Sequence, residues 1–157
     1  MKRYRSFFTL FLLVIFAFSG FSQELEYRDG HYYKKDMLYS GKNIEYFENG
    51  NTKIERNIKN GHEDGLVITY FENGKKQEQR SYLEGKKDGL WITWDEKGAK
   101  LGEARYKDDL KDGEWFIWNS DGVLLYEMHY TGGKKSGVWK MYNEKGELVQ
   151  ERSYDNE

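Results

Sequence analysis

Gly113-Glu114-Trp115-Phe116-Ile117-Trp118-Asn119-Ser120-Asp121-Gly122, followed by Glu127, Tyr130, Gly133 and a new glycine at 137, decides how the chain is read. Displaced by 24 residues, the pattern returns as Gly89-Leu90-Trp91-Ile92-Thr93-Trp94 with Gly98, Glu103, Tyr106 and Gly113. From residue 46 onward a large ring, or once an isoleucine, falls at every twelfth position: Tyr46, Ile58, Tyr70, Tyr82, Trp94, Tyr106, Trp118, Tyr130, Tyr142, Tyr154. Glycines alternate with them at gaps of nine and fifteen: Gly41, Gly50, Gly65, Gly74, Gly89, Gly98, Gly113, Gly122, Gly137, Gly146. Both series share one 24-residue period without insertion, the signature of a repeat protein whose unit is a single supersecondary element.

Each unit holds two strand-like runs. Leu66-Val67-Ile68-Thr69-Tyr70 and Trp91-Ile92-Thr93-Trp94 are rich in β-branched and aromatic residues. Asn49-Gly50 and Asn73-Gly74 read as type I′ hairpin turns, which need positive φ at both central residues. Lys97-Gly98, Asp121-Gly122 and Lys145-Gly146 keep only the glycine, which suggests a left-handed residue closing a short loop with a G1 bulge. The return turns end in Asp64-Gly65, Asp88-Gly89, Asp112-Gly113 and Ser136-Gly137. Asp109 stands where other units have Gly61, Gly85 and Gly133, so that turn is expected to be built differently. Glycines this frequent leave no room for a packed helix, and connections this short suit antiparallel hairpins only.

The expected fold is therefore all-β: an elongated, single-layer antiparallel meander of hairpins, about 50 Å long at roughly 4.8 Å per strand. Composition agrees. Proline and cysteine are absent, aromatics reach 17% and charged residues 33%. Rings stacked on the surface of a sheet take the place of an aliphatic core between two layers, each cross-strand pair contributing about 0.2–1 kcal/mol. If the hairpin folds about its Asn-Gly turn, Tyr70 lies opposite about residue 77, and Tyr82 approaches Trp91. The twelve-residue series then splits into two staggered rows. Trp91, Trp115 and Trp139 have the opposite strand parity to Tyr70, Trp94, Trp118 and Tyr142 and so face the other side of the sheet.

The boundaries follow. Residues 1–22 read as a signal peptide: Lys2, Arg3 and Arg5 form the positive region, Phe7 to Phe18 the apolar run, and Gly20 and Ser22 the small residues before cleavage ahead of Gln23. The apolar run is too short for the roughly 20 residues of a membrane span. Residues 23–40 read as an atypical capping hairpin with Lys35-Asp36 as its turn. Five repeats occupy 41–64, 65–88, 89–112, 113–136 and 137–157. The chain carries a formal charge of −2. It becomes −5 once the three leader cations are removed, which argues against nucleic acid and against electrostatic binding to anionic lipid.

No catalytic, cofactor or metal constellation is legible. His31, His62 and His129 fall in different phases, so the repeat brings no two together. Asp108, Asp109, Asp112 and Gly113 resemble a calcium loop only superficially, since its third and twelfth positions would be Leu110 and Asn119. Gly132-Gly133-Lys134-Lys135-Ser136 lacks the first glycine of a phosphate loop. Glu55, Glu103, Glu127 and Glu151, with Gln79 in the remaining unit, read as a solvated face paired with neighbouring Lys and Arg. The residues expected to contact a partner are Trp91, Trp115 and Trp139, because tryptophan is a common hot-spot residue.

The unit pattern, together with Tyr46-Phe47-Glu48-Asn49-Gly50 and Tyr70-Phe71-Glu72-Asn73-Gly74, resembles the MORN-repeat variant of bacterial proteins often described as YwqK-family antitoxin-like. The resemblance covers roughly residues 38–157. The first unit departs from it at Asn43 and Ile58, which replace the tryptophan and the tyrosine. The resemblance implies a hairpin sheet used as a scaffold, and the antitoxin description implies neutralisation by binding. The expectation is an exported, non-catalytic scaffold that binds a protein partner through its sheet, an immunity-type inhibitor being one version. It would act in the periplasm, the outer envelope or the medium, touching membrane only through its signal peptide. The alternative is a cell-envelope surface module for glycan or lipid headgroups.

Overall fold

The structure is a computed structural model that describes residues 25–154. The signal-peptide reading of residues 1–22 lies outside the described residues. Fifteen strands and no helix occur among the described residues. The first three, β1 (Glu26–Arg28), β2 (His31–Lys34) and β3 (Met37–Leu38), make a small meander of their own. The rest form one open antiparallel sheet: β4 (Gly41–Tyr46), β5 (Thr52–Lys59), β6 (His62–Tyr70), β7 (Lys76–Leu83), β9 (Gly89–Trp94), β10 (Lys100–Lys107), β12 (Gly113–Trp118), β13 (Leu124–Thr131), β14 (Lys134–Tyr142) and β15 (Leu148–Ser153), each beside its neighbours in sequence. Two short pieces, β8 (Lys86–Lys87) and β11 (Leu110–Lys111), extend β9 and β12 across a break and pair with β7 and β10.

The type I′ turns expected at Asn49-Gly50 and Asn73-Gly74 lie instead at the other end of the hairpins. At Asn49-Gly50 and Asn73-Gly74 only the glycine is left-handed, at φ 85° and 81°. The loop is closed by Gly50 N–H on the Phe47 carbonyl and Phe47 N–H on the Asn51 carbonyl, and the register then slips between Glu45 and Tyr46. Asp95–Ala99, Asn119–Val123 and Asn143–Glu147 close in the same way. This is the bulged loop expected only for the last three units. The Asn or Asp earns its place by accepting main-chain N–H groups further along the loop: Lys75 on Asn73, Lys97 and Ala99 on Asp95, Asp121 and Val123 on Asn119.

The type I′ signature, two consecutive left-handed residues, lies at the other end: Asn60-Gly61, Glu84-Gly85, Asp108-Asp109 and Gly132-Gly133. The Asp109 turn is thus built like its counterparts, with Asp109 at φ 68° in the place of glycine, a conformation aspartate tolerates better than most residues. The Asp-Gly pairs do not turn the chain. They sit past the turn: Asp88-Gly89 and Asp112-Gly113 at the breaks between β8 and β9 and between β11 and β12, and Asp64-Gly65 inside β6, where the register with β5 shifts. There the left-handed glycine (Gly89 at φ 97°) forms an irregularity in the strand, and a β-carbon on it would lie 2.9 Å from Ser81 Oγ.

That break stacks the turns. The N–H groups of Gly61, Gly85, Asp109 and Gly133 donate to the carbonyls of Tyr39, Glu63, Lys87 and Lys111, each 22 residues earlier in the chain, at 2.8–2.9 Å. The residue before each repeat glycine accepts a second N–H from the next turn: Asn60 on Ser40, Glu84 on Asp64, Asp108 on Asp88, Gly132 on Asp112. Backbone groups at this edge are therefore paired between repeats, as groups withdrawn from water must be.

No second layer covers the described residues. Only Ile58, Val67, Tyr130 and Tyr154 fall below a tenth exposed among the apolar residues. All four lie in the positions that the repeat assigns to a ring or tryptophan, and they mark the line where side chains cover one another.

Candidate functional site

One face of the sheet carries an unbroken ladder of rings. Tyr82, Trp91, Tyr106, Trp115, Tyr130, Trp139 and Tyr154 follow one another with centroids 4.9–5.5 Å apart and planes inclined by 51–64°. Such tilted pairs contribute about 0.5–1.5 kcal/mol each beyond the area they bury. Register explains the sequence. Each tyrosine stands across from a repeat glycine (Tyr82 from Gly65, Tyr106 from Gly89, Tyr130 from Gly113), and the tryptophan two residues past the next glycine leans against it. The expected Tyr82–Trp91 approach is present, and Tyr70 pairs with Lys76.

The three tryptophans spend their polar atom internally. Trp91, Trp115 and Trp139 donate Nε1–H to the carbonyls of Ser81, Arg105 and His129, each at 3.0 Å. The indoles are therefore fixed in orientation and half-buried, with a tyrosine on either side. In the first two repeats the ladder is aliphatic: Val67 holds the tryptophan position and Ile58 the tyrosine position. There the N-terminal meander takes over. Tyr32 accepts Arg56 Nη1–H at 2.8 Å and donates to Glu63 at 3.2 Å, with Tyr27 packed 4.7 Å from its ring. Folding back in this way also sets the His31 ring 4.3 Å from that of His62, so the histidines expected to stay apart include one touching pair. No group of three His, Cys, Asp or Glu able to hold a metal occurs among the described residues.

Sequence reading missed a row of cations on this ladder. Lys87 lies 4.9 Å from the Trp91 centroid and 5.1 Å from Tyr106; Lys111 lies 4.3 Å from Trp115 and 4.6 Å from Tyr130; Lys135 lies 4.5 Å from Trp139 and 5.1 Å from Tyr154. Each ammonium bridges two rings, an arrangement contributing about 0.5–1 kcal/mol at exposed sites. The signal was available, since lysine recurs two residues before the repeat glycine at 87, 111 and 135. Arg80 and Arg152 add guanidinium groups over Trp91 and Tyr154. Burial within the ladder pushes the Tyr82 and Tyr106 phenols above their ordinary range.

The opposite face carries the acids. One cross-strand row runs Ile44, Glu55, Ile68, Gln79, Ile92, Glu103, Phe116, Glu127, Lys140, Glu151 through the whole sheet. Three of its four glutamates pair with lysines as expected: Glu55 with Lys42 at 2.6 Å, Glu103 with Lys100 at 2.9 Å, Glu127 with Lys140 at 3.6 Å. The second ring row also lies apart from the ladder. Tyr70 and Tyr142 donate to Glu55 and Glu127, and Lys100 stands over Trp118. The Lys42 ammonium, reinforced by the Tyr70 hydroxyl, holds the Glu55 carboxyl below the usual carboxylate range.

The family model for the MORN repeat variant matches residues 39–60, 63–84, 111–131 and 135–156, together more than half of the chain. The matches begin in one 24-residue phase and skip the repeat between them. That skipped stretch has the same strands and turns but carries Asp108-Asp109 at its turn. No curated protein matches the chain.

Proposed function

This chain belongs to the MORN repeat variant family, and from that premise we propose that it is a non-catalytic scaffold that docks a protein partner on its ladder face. MORN repeats form scaffolds suited to binding. The observation that carries the assignment of a face is the ladder itself, seven rings in contact across the sheet, with the three tryptophans fixed in orientation by internal hydrogen bonds and lysines bridging each of them to the tyrosine that follows. Rigid aromatic side chains give contact area at small entropic cost, which is what a docking surface needs. Trp91, Trp115 and Trp139 are the proposed contact residues, reached through their half-buried edges. An immunity-type inhibitor, covering a toxin as the antitoxin description implies, is one version of this function. Export follows in the proposal from the leader pattern of residues 1–22, with a mature chain beginning at Gln23.

A surface module for glycan or lipid headgroups is the second reading. Its support is the row Tyr46, Tyr70, Trp94, Trp118, Tyr142 on the opposite face, where rings recur every second strand, roughly 10 Å apart.

The test is recovery of partners from the native cell envelope with the mature protein, followed by quenching of tryptophan emission in the recovered complex. The protein-scaffold reading expects Trp91, Trp115 and Trp139 to be shielded, shown by comparing single Trp→Phe variants. A complex in which those three stay as quenchable as in the free protein would remove them as contacts. Emission of Trp94 and Trp118 that responds to soluble cell-wall sugars would favour the second reading.

A further inference from the structure

We infer that the ladder face of the last three repeats takes an acidic, apolar-bearing polypeptide segment in extended form, an inference that rests on the scaffold reading above. The two faces differ in charge along their length. On the ladder side the carboxylates Glu45, Glu63 and Glu78 belong to the first two repeats, and each already has a partner: Arg56, Tyr32 and Arg80. Beyond them, among the described residues, the side turns basic. Lys87, Lys111, Lys135 and Arg152 stand over the rings. The positions sharing that side are Gly102, Ala104, Ile117, Tyr126, Met128 and Met141, with no carboxylate among them. The nearest acids, Asp108, Asp109 and Asp112, sit at the turn edge and are bonded to Lys86 and to the main-chain N–H groups of Lys87 and Gly132.

Charge alone would suit any polyanion. The apolar neighbours narrow the choice. Ile117, Tyr126 and Met141 are register partners across three strands and, with Met128, line a depression of about 340 Å³ beside Trp139 and Tyr154. Ile117 and Tyr126 are 40% and 39% exposed, which is costly for large apolar side chains left uncovered. Flexible methionines in such a place adapt to varied apolar side chains. The lysine row and the apolar depression run side by side across the strands. A segment with carboxylates on one edge and apolar side chains on the other meets both at once; a glycan polyanion meets only the first. Complementary charge would speed the encounter and suppress basic partners.

The test is fluorescence anisotropy of a labelled synthetic peptide alternating Glu and Leu, titrated with the mature protein. Controls are the Gln-Leu counterpart and an all-Glu peptide. Saturable binding is expected for Glu-Leu and at least about tenfold weaker binding for either control. The variant K87Q/K111Q/K135Q should lose about tenfold, the corresponding Lys→Arg variant should retain affinity, and K42Q/K100Q on the other face should leave it unchanged. Retained Lys→Arg affinity excludes loss through misfolding. Absence of saturable Glu-Leu binding, equal binding of the Gln-Leu peptide, or an unaffected K87Q/K111Q/K135Q variant overturns the inference. So does lysine-dependent binding to phosphatidylserine vesicles that the peptide does not displace, which would assign the face to a membrane. The scaffold reading fails separately, if the envelope partner leaves the ladder tryptophans unshielded.

Discussion

At the residue scale, the ladder tryptophans act as braces as well as surface. Replacing Trp115 by Phe keeps a ring between Tyr106 and Tyr130 but removes the bond to the Arg105 carbonyl. That carbonyl still accepts Asp112 N–H at 3.0 Å, so nothing buried is orphaned. The expected loss is about 1 kcal/mol in urea unfolding, against about 3 kcal/mol for Trp115→Ala, which opens the ladder. The turns give a second contrast. Glu84 is held left-handed at φ 50°, and Glu84→Gly should raise stability by about 0.5–1 kcal/mol, strain relief exceeding the added chain entropy. Asp109→Gly should bring no such gain, because Asp109 Oδ1 accepts Lys87 N–H at 2.8 Å. A gain at both sites in thermal melts would show that the side-chain bond contributes nothing. Glu55 supplies the pH test. Its folded carboxyl titrates below its unfolded value of about 4.3, so its contribution is fully present above that value and is lost as pH falls through the depressed folded value. Glu55→Gln should therefore flatten the acid limb of the stability profile while leaving its slope above pH 5 unchanged.

At the scale of the element, the hairpin shows what the sequence could and could not convey. Its period, strand parity and the meeting of Tyr82 with Trp91 were readable because a two-residue alternation and a constant unit length leave one solution. The turn types were not. Asn49-Gly50 has the composition of a type I′ turn, but the Asn side chain captures a downstream N–H and favours a longer, bulged loop. Glu84-Gly85 and Asp108-Asp109 form type I′ turns despite poorer residues, because their N–H groups are held by the preceding repeat. The Asp-Gly pairs misled for a related reason. Their role depends on a strand 20 residues away, which local turn chemistry does not contain. Asp112→Ala should cost about 1 kcal/mol through loss of the Gly132 N–H bond. Amide exchange should localise the effect, with Gly132 exchanging faster and Gly122, at the opposite end of the hairpin, unchanged. The lysine row was present in the sequence as a third periodic series. It passed unnoticed because charged residues on a strand ordinarily mean a solvated face.

At the scale of the molecule, each long strand of the main sheet pairs only with its neighbours, so stability is a sum over adjoining repeats and cooperativity is passed along the ladder. The N-terminal meander closes one end of that ladder by offering Tyr32 to Arg56 and Glu63, a contact between residues of different repeat phase that no period could announce. The sheet sorts its charge, with a glutamate row on one side and lysines over rings on the other, and the ladder side is the one assigned to a partner. The most direct measurement is covalent lysine labelling of the mature protein, free and bound to its partner recovered from the envelope, read residue by residue. Lys87, Lys111 and Lys135 should be protected on binding, with Lys42 and Lys100 labelled as in the free protein. Protection of Lys42 and Lys100 with Lys87, Lys111 and Lys135 still fully reactive would contradict docking on the ladder face.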